Sequence, residues 1–253
     1  MKVLMFHDIR DNVINFKDRY KLPYFISSLK FKSIFKKHIS NFHISNNGTN
    51  INLSDENDYL YTFDDGLKDH LHVAKYLAKN NTKAVFFVPT KILEENFIID
   101  SHKIQFLLAS VNNIELKSII LNEVPNSEDV LLKYGVSNWE NNIWTKEMIF
   151  ITRFLREYPD NIFRKNLLTN LFDQFVPNSL EEIRDDFYLN KNDLKKIISL
   201  GHIIGGHGHE SLNLIHENSE VKKQEIITSS KFLDQLGVPI KLFAYPNGSY
   251  DQF

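Results

Sequence analysis

A chain of 253 residues, 42% hydrophobic and 25% charged, has enough apolar material for one sizeable core, or one core plus an inserted subdomain, which excludes a disordered, collagenous or coiled-coil chain. Its 30 basic and 32 acidic residues leave a net charge of −2, so no electrostatic field advertises nucleic acid or an anionic membrane as a partner. The absence of cysteine removes disulfides, thiolate metal sites and a cysteine nucleophile together, leaving His, Asp and Glu for any metal chemistry.

Lys2 to Phe6 is a short apolar run that stops at His7-Asp8, the pattern of a buried parallel strand whose carboxyl end opens onto a loop. The run is too short for a signal peptide, and nothing in the chain approaches 18 consecutive apolar residues. The expectation is a cytoplasmic protein with no transmembrane segment, in which the sequons at Asn47, Asn80 and Asn247 are surface turns. Tyr20 to Ser40 reads as helical and Phe42 to Asp58 as a polar connection. Tyr59 to Phe63 is a second buried strand ending in Asp64-Asp65-Gly66, Lys68 to Lys79 an amphipathic helix, and Ala84 to Val88 a third strand closed by Pro89. This is a βαβ unit with an expected right-handed crossover.

From about residue 100 to 186 the pattern turns helical, with apolar spacing in His102 to Ser110, Lys146 to Tyr158 and Ile162 to Phe175, and turns at Pro125, Pro159 and Pro177. We read a mostly helical insertion within a single domain spanning 1–253. Strand logic then returns. Asn190 is an N-cap with Asp193 at N3, the helix runs to Leu200, and Gly201 ends it. His202 to Gly206 is a strand entering His207-Gly208-His209. A helix from Ser219 to Leu236 and a strand from Ile240 to Ala244 lead into Tyr245-Pro246-Asn247-Gly248.

In parallel α/β folds ligands bind at the carboxyl ends of strands, and Asp64, Asp65, His207, His209, Asn247 and His7 all fall just after predicted strands. Adjacent aspartates there point in different directions, so one can bind a cation while the other takes up a proton; a plain turn before Gly66 is the structural alternative. Thr62 to Gly66 with Lys83 to Pro89, then Gly201 to Gly208, then Phe243 to Tyr250, closely resemble in order the three leading motifs of the polysaccharide deacetylases, the NodB-homology domains of carbohydrate esterase family 4. The third motif is in the form that lacks its arginine, and Lys2 to Ile9 resembles the strand-plus-His opening of some members.

The resemblance implies a distorted or incomplete (β/α) barrel carrying the helical insertion. It implies a divalent cation, zinc by expectation, held by Asp65 and His207. Asp64 is then the general base, and the Asn247 backbone N–H a donor to the oxyanion formed on an N-acetyl carbonyl. Two departures stand out. The position of the family's second metal-binding His is Ser211, a poor ligand, and His209 compensates only if 207–209 is extended, since i and i+2 then share a face. The chain also stops at Phe253, before a Trp-containing motif and the family's catalytic-acid His. His7 is the best-placed replacement acid, and His70, His72 and His102 are candidates by type alone. Tyr245, Tyr250, Trp139 and Trp144 are the aromatics suited to stack on a sugar. The function expected is removal of an N-acetyl group from an acetamido sugar or oligosaccharide, in surface-polysaccharide biosynthesis. The alternative is a catalytically impaired homologue that binds saccharide or a partner.

Overall fold

The computed structural model describes residues 2–11, 25–38, 43–44, 51–52, 59–135, 144–238 and 242–248. Trp139 and Tyr250 lie outside them. Strand β1 (Lys2–Phe6) is followed by β2 (Ile9–Arg10), β3 (Ile26–Ser27), helix α1 (Ser28–Lys37), β4 (His43–Ile44), β5 (Ile51–Asn52) and β6 (Tyr59–Phe63). Helix α2 (His70–Lys79) and β7 (Val85–Val88) come next. A helical run follows, α3 (Asp100–Ser110), α4 (Asn113–Glu123), α5 (Ser127–Gly135), α6 (Lys146–Glu157) and α7 (Asn161–Phe175). The chain then forms α8 (Leu180–Phe187), α9 (Lys191–Ser199), β8 (Ile203–Gly206) and α10 (Ser219–Gln235).

The chain divides into two compact units, Met1–Ile98 with Ser179–Phe253, and Ile99–Asn178. In the first, four parallel strands run in the order β1-β6-β7-β8. The register aligns Phe6, Phe63 and Phe86 across neighbouring strands. Their rings stack, Phe6 on Phe63 at 5.6 Å and Phe63 on Phe86 at 4.8 Å, and Phe31 of α1 meets Phe6 edge-on at 5.2 Å. Such a row ties three strands together by burial and ring contact. The helix expected over Tyr20 to Ser40 is therefore shorter where it is described, opening at Ser27, whose Oγ accepts the Lys30 N–H. Helix α9 forms as its capping pattern requires: Asn190 and Asp193 cap each other's backbone reciprocally, and Gly201 closes the end at φ +87°.

Two glycines let the outer strand seat. A Cβ at Gly205 would lie 2.5 Å from Phe87 Cδ1 and 3.0 Å from Leu242 O, and one at Gly206 would lie 2.5 Å from Ser229 Oγ of α10. The last expected strand is reduced in the described residues to a parallel bridge between Gly206 and Phe243, with residues 239–241 outside them.

The second unit is helical throughout its described length. Helix α6 buries Ile149, Phe150, Ile151, Phe154 and Leu155, and α3, α4, α5 and α7 pack around it. The sequence reading gave no helix for α4 or α5. Their apolar residues include Ile114 and Leu132, which are exposed, so no clean stripe marks the buried Leu116, Ile120, Val130 and Tyr134. The segment expected as an insertion, 100–186, takes in this unit and also α8, which groups with the sheet.

Gly205→Ala should destabilise the protein by about 1–3 kcal/mol, because Phe87 and the Leu242 carbonyl leave no room for a methyl group. Chemical denaturation followed by circular dichroism checks this; an unchanged midpoint would show that β8 is not held as closely as the backbone suggests.

Candidate active site

Strand β6 hands over to the aspartates without leaving the ladder, since the Asp64 N–H donates to Phe6 O at 3.0 Å. Asp65 and Gly66 then both turn left-handed, at φ +72° and +62°. Asp tolerates that region, and Gly66 has no alternative, because a Cβ would sit 2.9 Å from both Val88 and Ile92 side chains. The turn is clamped from outside. The Leu189 N–H donates to Gly66 O at 2.8 Å, the Lys68 N–H to Phe187 O at 2.9 Å, and Lys68 Nζ pairs with Asp193 at 2.8 Å. The change of direction leaves both carboxylates buried, at 5% and 8% exposure, in different places.

His207 follows β8, and its N–H donates to Val88 O at 3.2 Å. Its Nδ1 lies 2.9 Å from Ala244 O; a carbonyl only accepts, so Nδ1 carries the proton and Nε2 is turned the other way. Nε2 stands 3.5 Å from Asp65 Oδ1. On the other side, His7 Nε2 stands 3.9 Å from Asp64 Oδ2, and Asp64 Oδ1 is buried with no hydrogen-bond partner among the described residues. His7, Asp64, Asp65 and His207 thus meet at the carboxyl edge of the sheet.

Burial pushes the Asp64 carboxyl above the usual carboxylate range and Asp65 adds to this, while His207 and His7 pull it down without prevailing. Burial also works against charging His207, yet the hydrogen bond and charge of Asp65, helped by Asp64 and the Ala244 carbonyl, raise its pKa. Asp65 above all therefore outweighs the effect of burial on His207.

His209 is turned to a different partner. His209 Nδ1 lies 2.9 Å from Thr90 Oγ1, and the loop is zipped along β7's extension by Thr90 N–H to Gly208 O and Lys91 N–H to His209 O. Glu225 of α10 accepts the backbone N–H groups of His209 and Glu210, and burial raises its pKa. Ser211 is left-handed at φ +60°. Asn247 is exposed at φ +58° within the Pro246–Gly248 turn, and Tyr245 beside it is exposed. His72 is exposed on α2, and His102 is buried in the helical unit.

Asp65 and His207 have the chemistry of a cation pair. Their donor atoms are 3.5 Å apart, and two ligands of one tetrahedral zinc are separated by about 3.4 Å. The His207 Nδ1–H anchored on a carbonyl is the arrangement that orients a metal-binding imidazole. Among the described residues no group of three His, Asp or Glu side chains is arranged to hold a metal ion.

Several site-building residues escaped sequence reasoning. Asp8 and Arg10 form a buried two-pronged pair at 2.7 and 2.8 Å, directly after His7, with the guanidinium over Phe187. Opposite charges two residues apart were a usable signal. Thr90 and Glu225 carried none, because their role depends on contacts distant in sequence.

Residues 151–252 match the family described as polysaccharide deacetylase; the stretch contains His207 and Asn247, and Asp64 and Asp65 precede it. The fold resembles that of Streptococcus pyogenes deacetylase PplD in complex with acetate, at TM-score 0.53 and 15% identity over 100% of this chain and 76% of that one. It also resembles a de-N-acetylase from Aggregatibacter actinomycetemcomitans, at TM-score 0.52 and 14% identity over 99% of this chain and 80% of the other. No curated protein matches the sequence significantly. The chain has the α/β fold of the deacetylases, in keeping with a distorted (β/α) barrel, and across residues 151–252 it carries the sequence pattern of the polysaccharide deacetylase family.

Proposed function

We propose that the protein is a metal-dependent hydrolase that removes the N-acetyl group from an acetamido sugar. The observation that carries this reading is the meeting of two residue pairs at one sheet edge, Asp65 with His207 at 3.5 Å and Asp64 with His7 at 3.9 Å. In it, Asp65 and His207 hold a divalent cation, with His209 and Ser211 the nearby loop positions from which a further ligand would come. Such a cation, when bound, polarises a carbonyl and acidifies adjacent water. Asp64 takes the proton of the water that attacks the N-acetyl carbon. The Asn247 backbone N–H donates to the oxyanion, and His7 gives a proton to the departing amine as the C–N bond breaks, leaving acetate and a free amino sugar. The setting we assign is a saccharide precursor of a surface polysaccharide, handled in the cytoplasm. Comparing monomeric, lipid-linked and polymeric acetamido sugars as substrates tests it.

The second reading, a homologue that binds saccharide without turning it over, is favoured by the lack of a three-residue metal group among the described residues. Measuring acetate release after chelation and after reloading with zinc separates the two. Release that reloading restores supports the hydrolase; saccharide binding without release supports the alternative.

Asp64→Asn should cut turnover by about 100-fold to 10,000-fold while keeping the metal, because an amide cannot take up the proton, whereas Asp65→Asn should lower metal affinity as well. Equal metal loss in both would sink the assignment. Asp64→Asn should also stabilise the metal-free protein at neutral pH. A carboxyl whose folded pKa is raised contributes stability that is present below the unfolded value and lost as pH rises through the folded one, so the ionised form is a burden that asparagine lacks. The stability gap between variant and wild type should close as pH falls below the ordinary carboxylate range, which thermal melts across pH will show.

Ser211→His should supply an imidazole four residues from His207 and tighten zinc binding by about 10-fold to 100-fold, measured by competition with a chelator. If affinity stays unchanged while His209→Ala removes the metal, then His209 is the third ligand.

A further inference from the structure

His70, the first residue of α2, is completely buried, with its ring against Phe63 at 5.6 Å and Phe86 at 5.9 Å. Its Nε2 lies 2.7 Å from the backbone carbonyl of His7. The carbonyl can only accept, so Nε2 carries the proton and Nδ1 a lone pair. That lone pair is buried with no hydrogen-bond partner among the described residues. Burial holds the ring's pKa at about 4, which keeps it neutral under working conditions.

For stability this is a poor arrangement. A phenylalanine would fill the space between Phe63 and Phe86 with no stranded ring nitrogen, at the loss of the donor to the His7 carbonyl, and a stranded buried acceptor costs more than a typical hydrogen bond returns. What the imidazole does, and a phenyl ring cannot, is grip the His7 carbonyl. The residues on either side of His7 are already fixed. Phe6 O is taken by the Asp64 N–H, while Asp8 O accepts the Ile26 N–H at 2.9 Å and the Asp8 carboxylate is held twice by Arg10. The bond from His70 adds an anchor between these two, on the His7–Asp8 peptide, and so helps set the backbone dihedrals on which the allowed rotamers of the His7 ring depend.

We infer that His70 is a positioning residue for the reaction: through its Nε2–H it fixes the His7 carbonyl and thereby aims the His7 imidazole at Asp64. The inference deepens the proposed function and rests on His7 acting there as proton donor. Loss of the grip costs alignment rather than affinity, and misplacing a reacting group by about 1 Å costs about 100-fold in rate.

The test uses the full chain with His70→Phe, His70→Gln and, as reference, His7→Asn, measuring steady-state acetate release from an N-acetylated chito-oligosaccharide, thermal midpoints and the His7 imidazole resonances by NMR. His70→Phe should fold, lose about 100-fold in kcat with KM little changed, and shift the His7 resonances. His70→Gln, whose side-chain N–H reaches the same carbonyl, should restore most of the kcat and the wild-type resonances. An unfolded His70→Phe chain would show the imidazole to be a structural requirement and overturn the inference. So would wild-type kcat in His70→Phe alongside an inactive His7→Asn. A fully active His7→Asn chain would instead overturn the proton-donor reading, and the positioning claim would then be decided by NMR alone, where unchanged His7 resonances in His70→Phe refute it.

Discussion

Two adjacent carboxylates buried at the end of a strand are the constraint from which the rest of the site follows. Each loses hydration, each repels the other, and the chain gains nothing from them in stability. The fold meets this by geometry. Asp64 stays in the ladder through its N–H to Phe6, and Asp65 turns left-handed, so the two groups face different histidines. Asp65 pairs with His207, whose second nitrogen is tied to Ala244; Asp64 keeps an oxygen with no partner among the described residues and a raised pKa. A group left uncomfortable in this way is poised to take up a proton, and so a cost in stability and a capacity for chemistry reside in one atom pair.

The clamps around the site act at different distances. Lys68, Phe187 and Leu189 secure the aspartate turn, while Arg10 lies over the Phe187 ring and holds Asp8, so that the loop bearing His7 and the loop bearing Asp64 and Asp65 lean on the same residue, one through its ring and the other through its carbonyl. Glu225 and Ser229 of α10 set how closely that helix approaches the glycines flanking His207. Bulk at Gly206 or Gly208 would meet those side chains, which makes the glycines a spatial requirement here as much as a conformational one.

Legibility in the sequence tracks the range of the interaction. Strands β6, β7 and β8, the capping box of α9 and the placement of Asp64, Asp65, His207 and His7 at strand ends are local patterns, and local periodicity and caps report them. The direction of His209 is set by Thr90, 119 residues away, and the grip of His70 on His7 by a contact spanning 63 residues; neither leaves a trace in spacing. Helices α4 and α5 were missed for a different reason. Their exposed apolar residues blur the stripe that would have announced them, so the buried positions become visible only once the neighbouring helices are in place.

The division into a discontinuous sheet unit and a contiguous helical one also bears on how the chain finds its fold. Val88 and Ile203 end and begin the paired strands β7 and β8, and everything between them must be looped out before that pairing can hold. The helices of Ile99–Asn178 make their contacts within that contiguous stretch and can form early, whereas a parallel pair across so long a connection is intrinsically slow. Compaction of Ile99–Asn178 shortens the effective loop and lowers its closure cost by about 1 kcal/mol, so a unit with no strand among its described residues still eases the pairing of β7 with β8.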